Sequence, residues 1–306
     1  MKLKSITNIF KKISIFGKIL LFIILILIVI TIFKSNSNKT IEEGFEQSDK
    51  FIFKKGGEMY DQFYANVYDY LINDEINSDF EIGTIINSTT PSSESIILDV
   101  GCGTGSCVSK IKGTGNNLEI IGIDSSPFMI KKSIMKYPDH KFVVGNALDI
   151  GVFQPSSFTH ILCLDLIVYY FEDKRAFFNN CIDWLMPGGY LILHVVDSQK
   201  FDPILSINPA LYVVNQPENG QKKKKIRKLK DFTYSIDSQK KDNKVIVNEK
   251  FQFNNGNTRK QEIILYMEDK EELLTTVQQA GFTLHAISNI IKHNYGGQYI
   301  YIFVKP

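Results

Sequence analysis

Residues 96–105 read Ile-Ile-Leu-Asp-Val-Gly-Cys-Gly-Thr-Gly, and they constrain the fold more than any other stretch of the chain. Three β-favouring residues run into an acid, Asp99. A loop follows with glycine at every second position (Gly101, Gly103, Gly105), and a helical pattern runs from Ser106 to Lys112. A strand that ends in such a loop and opens a helix points free backbone N–H groups at whatever binds there. Glycine removes Cβ atoms where a ligand must touch backbone, and it permits positive φ in a tight turn. The segment reads as a nucleotide-type cofactor site in an α/β architecture.

Its spacing narrows the ligand. A dinucleotide loop has the form G-x-G-x-x-G, whose third glycine position is here Ser106. No G-K-[ST] follows, so this is not a phosphate loop of that type. A tight G-x-G-x-G without lysine suits a ligand lacking phosphates. The next segments fall in a consistent order. Leu118 to Asp124 is a second apolar run ending in a carboxylate, placed to accept hydrogen bonds from ribose hydroxyls. Phe142 to Asp149 and His160 to Asp165 are further strand patterns, and Leu185-Met-Pro-Gly-Gly closes a helix and enters a fifth, through His194.

Together these segments resemble class I S-adenosylmethionine-dependent methyltransferases, whose first motif is usually D-x-G-x-G-x-G. The likeness covers residues 95–200 in order, with the Pro-Gly-Gly turn at 187–189 among its marks. It implies an α/β fold: a doubly wound, seven-stranded, mainly parallel sheet whose last strand is antiparallel. It also implies S-adenosylmethionine as cofactor, with Asp99, Gly101, Cys102, Gly103, Gly105, Asp124, Ser125, Asn146, Ala147, Leu148, Cys163 and Tyr60 as expected contacts.

The 306 residues suffice for one large α/β domain and a small additional piece. Four cysteines, Cys102, Cys107, Cys163 and Cys181, read as reduced core thiols. Their spacing forms no C-x-x-C pair with neighbouring ligands, and no metal site is expected. The net charge of +2 conceals an uneven distribution, because five lysines and no acid precede residue 34. The remainder is acidic overall, yet seven of the nine residues from Lys222 to Lys230 are basic.

The amino terminus reads as a separate device. Residues 1–12 are a basic tail. Ile19 to Phe33 carries no charge, and extension back to Ile13 gives a helix of about 31 Å, enough for the ~30 Å hydrocarbon core. Residues 13–33 are therefore expected to be a single transmembrane helix, with a cleaved signal peptide as the rival reading. Lysines before the span argue for a cytosolic amino terminus. Reduced cysteines and cytosolic cofactor supply argue for the opposite, and the side stays open. Residues 34–57 read as a linker, and 58–306 as the methyltransferase domain.

Within that domain, Glu58 to Asn73 has helical spacing, with Tyr60, Tyr64 and Tyr68 every four residues. The resemblance implies that such a helix covers the cofactor, and Tyr60 or Tyr64 would face the sulfonium. Between about 200 and 268 lies an insertion with three alternating strand patterns, at 231–238, 244–253 and 259–267. The resemblance implies that this small antiparallel sheet roofs the active site. The basic run 222–230 reads as a solvated loop, with anionic lipid headgroups as a possible contact. It has no interleaved aromatic residues to stack bases, so nucleic acid is disfavoured.

Methyl transfer from a sulfonium needs alignment more than acid–base help. Candidate catalytic residues are His194, Tyr169 and Asp165, with Tyr170 beside them. No [DNS]-P-P-[YF] segment follows the fourth strand pattern, and Leu162, not proline, precedes Cys163. Both observations disfavour nucleobase methylation. The expected acceptor is an oxygen or nitrogen nucleophile on a small molecule or lipid, with RNA, protein and a non-catalytic scaffold role as alternatives.

Overall fold

The computed structural model describes residues 14–18, 23, 24, 26, 47–72, 75–115, 118–200, 224–292 and 295–306. The chain divides into two compact units, Met1–Glu46 and Gln47–Pro306. In the first, residues 15–18 are helical, and most of the expected membrane span and the linker through residue 46 lie outside the described residues. Among the described residues, no helix is long and apolar enough to cross a membrane.

The second unit contains two sheets. Its elements are β1 (Phe51–Lys55), α1 (Gln62–Leu71), α2 (Glu75–Thr89), β2 (Ile96–Val100), α3 (Ser106–Lys112), β3 (Glu119–Asp124) and α4 (Pro127–Lys136). There follow β4 (Lys141–Val144), β5 (Phe158–Cys163), α5 (Lys174–Trp184), β6 (Leu185–Val196), β7 (Lys224–Lys228) and β8 (Phe232–Lys241). The last elements are β9 (Lys244–Phe253), β10 (Thr258–Tyr266), α6 (Lys270–Gln279), β11 (Thr283–Lys292) and β12 (Tyr295–Val304).

The larger sheet has seven strands in the order β11-β12-β6-β5-β2-β3-β4. β12 runs antiparallel to both neighbours, and the remaining pairs are parallel. The sequence expectation of a mainly parallel sheet with an antiparallel last strand describes this arrangement. Strand order reverses beside β2, the switch point where open α/β sheets hold ligands. Ile97, Leu162, Ile192, Ile300 and Ile302 on the sheet pack with Ile82 and Ile85 of α2 and Val108 and Ile111 of α3. Each such side chain contributes about 1.5–3 kcal/mol on full burial, which holds α3, and with it the glycine loop, against the sheet.

The smaller sheet has five strands, β1-β10-β9-β8-β7. Alternation along β9 buries Val245, Val247, Glu249, Phe251 and Phe253 on one face. Phe63 of α1 meets Phe232, Phe251 and Phe253 of that face at ring-centroid distances of 5.1–6.1 Å. α1 also packs against α4 of the larger domain, so it joins the two sheets.

Four local expectations are corrected. Residues 51–55, placed in the linker, form an edge strand parallel to β10, from Phe51↔Thr258 to Lys55↔Glu262. The basic run is not wholly a loop, since Lys224–Lys228 pairs antiparallel with β8. The helix expected over 58–73 is a 3-10 turn at Gly56–Met59 and then α1, whose first turn Asp61 caps by accepting from Tyr64 N–H at 3.2 Å. Pro187-Gly188-Gly189 lies within β6, where Gly188 N–H donates to Lys305 O at 2.9 Å. Gly188 has φ +76° and the register with β5 jumps from Phe158↔Leu185 to His160↔Tyr190, so the turn is a bulge inside the strand and not a link before it.

Candidate functional site

β2 delivers the chain to the glycine loop at the switch point. Gly101 N–H and Cys102 N–H both donate to Ile123 O, at 2.8 and 3.0 Å, which folds the loop back onto β3. Gly101 has φ +71°, and a Cβ there would stand 2.7 Å from Ile167 Cδ1. Gly103 has φ +53°, and a Cβ there would stand 3.7 Å from the Tyr68 ring, in ordinary contact. Its N–H donates to Asp124 Oδ2 at 3.0 Å, and Ser126 N–H donates to Oδ1 at 2.8 Å. Asp124 thereby clamps the loop and the entry to α4 with one carboxylate. Burial pushes this carboxyl above its ordinary range, while the two N–H donors pull it back.

The loop, Asp124 and Ser125 form one side of a cleft that Asn146 and Ala147 continue after β4. Tyr60, Tyr68, Asp165, Ile167, Tyr170 and Phe171 form the other side. Ser126 Oγ–H donates to Tyr60 O at 2.5 Å, fixing the backbone there. Tyr60 hydroxyl donates to that of Tyr170. Burial holds all three phenols above their usual range, Tyr170 at about 12. They therefore stay neutral and offer ring faces and O–H groups. Asp165 and Leu166 have positive φ of 45° and 66°, an uncommon conformation for such residues that often marks functional sites.

The smaller sheet supplies a polar core beneath the tyrosines. Buried Glu249 accepts from Tyr64 Oη at 3.1 Å, from Gln261 Nε2 at 2.9 Å, and from Tyr234 Oη in a short bond. Buried Arg259 donates to Gln261 Oε1, to Asp61 Oδ2 at 2.9 Å and to Met59 O at 3.1 Å. Every arm of this guanidinium thus holds a residue next to, or hydrogen-bonded into, the wall carrying Tyr60.

The expected contact residues separate by position. Gly101, Gly103, Asp124, Ser125, Asn146, Ala147, Tyr60 and Asp165 line the cleft, and Asp99, Cys102, Gly105, Leu148 and Cys163 do not. Asp99 is buried behind the loop, and burial with the Asp165 charge pushes it up to about 8. Cys102 lies against the Gly122 backbone, and Gly105 against Phe142. Leu148 N–H closes a turn on Asn146 Oδ1 at 3.0 Å, and Cys163 is a buried strand thiol. Of the catalytic candidates, Tyr169 is buried, its hydroxyl accepting from Val196 N–H at 3.0 Å, and its neighbour Tyr170 faces the cleft instead. His194 is buried beside the cleft and not on its wall. Tyr64, the alternative to Tyr60, turns to Glu249, while Tyr68 takes the cleft position. Ile167, Phe171, Tyr68 and Met129 are wall residues that sequence reading missed; the aromatic run after β5 was the available signal for Ile167 and Phe171, the four-residue tyrosine spacing that for Tyr68, and Met129 had none.

Residues 97–189 match the family described as "Methyltransferase domain". The trans-aconitate 2-methyltransferase of Escherichia coli O1:K1 / APEC is 27% identical over 125 residues, covering 41% of this chain and 48% of that protein. The chain therefore spans about half the length of the curated relatives it matches. Among solved structures, the CcbJ methyltransferase from Streptomyces caelestis aligns at TM-score 0.62 and 15% identity, covering 80% of this chain and 97% of that one. An S-adenosylmethionine-dependent methyltransferase from Clostridium acetobutylicum aligns at TM-score 0.59 and 15% identity, over 79% and 97%. At these identities the structural likeness establishes the fold.

The cleft residues fit S-adenosylmethionine, the donor used by the methyltransferases this segment resembles. Asp124 has two oxygens at the cleft for a ribose diol, and Asn146 and Ala147 present backbone and amide groups where a base would lie. Tyr60 and Tyr68 offer ring faces, which attract a cation. Among the described residues, no lysine or arginine lines the cleft, as suits a phosphate-free ligand. S-adenosylmethionine supplies a methyl group already activated on a sulfonium, so the residues around it need to bind, orient and exclude water.

Proposed function

We propose that the chain transfers a methyl group from S-adenosylmethionine to an oxygen or nitrogen nucleophile of a small molecule or lipid, and that it does so tethered to a membrane. The observation that carries the reading is Asp124, whose carboxylate both fixes Gly103 and lines a cleft in which none of the described residues is a lysine or arginine. The acceptor's lone pair forms the new bond to carbon as the sulfur–carbon bond breaks and sulfur keeps the electron pair. Tyr60, Tyr68, Tyr170 and Phe171 supply walls that align the acceptor and keep water away. With the phenols neutral, none of them can take a proton, so an amine acceptor must lose its proton to water before transfer and an alcohol would need another group to take its proton.

The roof sheet argues for an acceptor of its own kind. The family match ends at residue 189, before β7 to β10, so a relative's acceptor does not carry over with its donor site. The uncharged run 19–33 and the basic run 222–230 support a lipid surface nearby. Arg227 within the latter is already committed, donating to Tyr70 O at 2.7 Å.

Titration calorimetry of the full chain in detergent should give saturable, one-to-one binding of S-adenosylmethionine; no binding would overturn the enzyme reading. With methyl-labelled donor and total extracts, label should enter the small-molecule or lipid fraction, and label only in RNA or protein would redirect the acceptor. Alkaline extraction of membranes from expressing cells should leave the chain in the pellet, and release into the supernatant would remove the tether.

A further inference from the structure

We propose that Glu81, Asp165 and His194 form a divalent-cation site beside the methyl-donor cleft. The three come from separate elements: α2, the turn after β5, and β6. Their ligand atoms nevertheless all lie within 4.8 Å of one another. A metal bound at about 2.1 Å sets ligand atoms about 3 to 4.2 Å apart, so a small closing movement brings the set to bonding distance. Sequence spacing could not show this cluster, which is why no metal site was expected.

Chemistry and surroundings point the same way. Glu81 and His194 are each 1% exposed, so an ion held between them would be shielded from bulk water. His194 Nε2 lies 3.0 Å from Gln298 Oε1, an atom that can only accept. That bond places a proton on Nε2 and leaves Nδ1 as the atom a metal would take, displacing any proton it carries. An outer N–H held by an oxygen acceptor is the usual companion of a metal-bound histidine. Gln298 is itself buried on β12, so the ring orientation is fixed before any ion arrives. Negative charge also accumulates here: Glu81, Asp99 and Asp165 all act on the Cys107 thiol, and Asp99 Oδ2 lacks a hydrogen-bond partner among the described residues.

Two carboxylate oxygens and one imidazole nitrogen suit a borderline cation of the manganese-to-zinc series, with positions left for exchangeable ligands. Asp165 also lines the cleft, so an ion held by it would lie next to the space where an acceptor would sit. Resting on the methyl-transfer reading, the cation's role would be to bind an acceptor oxygen and lower its pKa, the proton leaving to water. This supplies what the neutral phenols cannot.

The full chain, stripped with chelator, should be titrated with Mn²⁺ and followed by electron spin resonance. We expect one bound Mn²⁺ per chain showing nitrogen coupling. His194→Gln should abolish the coupling, Asp165→Asn should weaken binding at least tenfold, and Gln298→Ala should weaken it about 10- to 100-fold. Asp165 is exposed, so its variant reports even where a buried substitution prevents folding. No saturable binding, or binding unchanged in Asp165→Asn, would overturn the site and leave a protonated His194 paired with carboxylates. S-adenosylmethionine titration of the same samples separates this failure from failure of the methyl-donor reading.

Discussion

Arg259 and Asp61 meet at 2.9 Å across the seam between the smaller sheet and the larger domain. Arg259 lies on β10, and Asp61 caps α1 with its other carboxylate oxygen. The same guanidinium takes Met59 O, adjacent to Tyr60. The pair therefore couples the smaller sheet to the cleft wall. Glu249 does the equivalent through Tyr64 on the next turn of α1.

Arg259→Met is expected to destabilise the chain by about 3 kcal/mol, the low end for breaking a buried pair. The low end applies because the Asp61 side chain keeps 26% of its exposure and can rehydrate. The loss should appear as a reduced midpoint in urea. S-adenosylmethionine affinity should fall as well, since the 59–61 segment is released. An unchanged affinity in the folded variant would separate roof anchoring from the cleft.

Asp124→Asn tests the clamp. One of the Gly103 and Ser126 N–H groups would then face an amide NH₂, and the charged acceptor for a diol would be gone. Hydrogen bonds to a charged group contribute about 1.5–3 kcal/mol each, so affinity should fall roughly 10- to 100-fold. Stability should change little, because burial already disfavours this charge. Calorimetry of donor binding beside a urea melt distinguishes the two quantities.

The parts of this site readable from sequence are those that backbone geometry dictates. Gly101, Gly103 and Asp124 follow from a strand-loop-helix that must approach a ligand closely, and periodicity identified the sheet that carries them. Rotation about an element axis was not readable. Tyr60, Tyr64 and Tyr68 share a spacing, yet Glu249 on a distant strand captures Tyr64 and leaves Tyr68 to the cleft. Tyr169 and Tyr170 are adjacent on a 3-10 turn, and Val196 N–H decides which one turns inward. Edge strands escaped notice for a related reason. β1 and β7 are ordered by pairing with β10 and β8, and their lysine-rich sequences carry no burial pattern of their own.

Gly101→Ala and Gly103→Ala should behave differently despite similar spacing. Both pay about 1–2 kcal/mol for a left-handed non-glycine residue. At Gly101 the new methyl also meets Ile167 at 2.7 Å, so the melt should shift further and the cleft should narrow. At Gly103 its nearest neighbour is the Tyr68 ring at 3.7 Å, so the larger effect should be on donor affinity. Equal losses of stability in both variants would contradict this assignment.

His160 predicts how stability depends on pH. It is buried at the start of β5, in a hollow lined by Ile82, Ile85, Ile97 and Leu162. Its Nδ1 lies 2.8 Å from Thr159 Oγ1, and its Nε2 has no hydrogen-bond partner among the described residues. Burial pulls its pKa down from 6.5 to about 4. Between those values the unfolded chain binds a proton that the folded chain refuses, so stability rises with pH. The contribution is complete above about pH 6.5 and is lost as pH falls toward 4, amounting to about 3 kcal/mol at 1.36 kcal/mol per unit. His160→Gln should flatten this segment of the stability curve, whatever its effect at neutral pH. Urea melts from pH 7.5 to 4.5 would check it, and an unaltered slope in the variant would place the titrating group elsewhere.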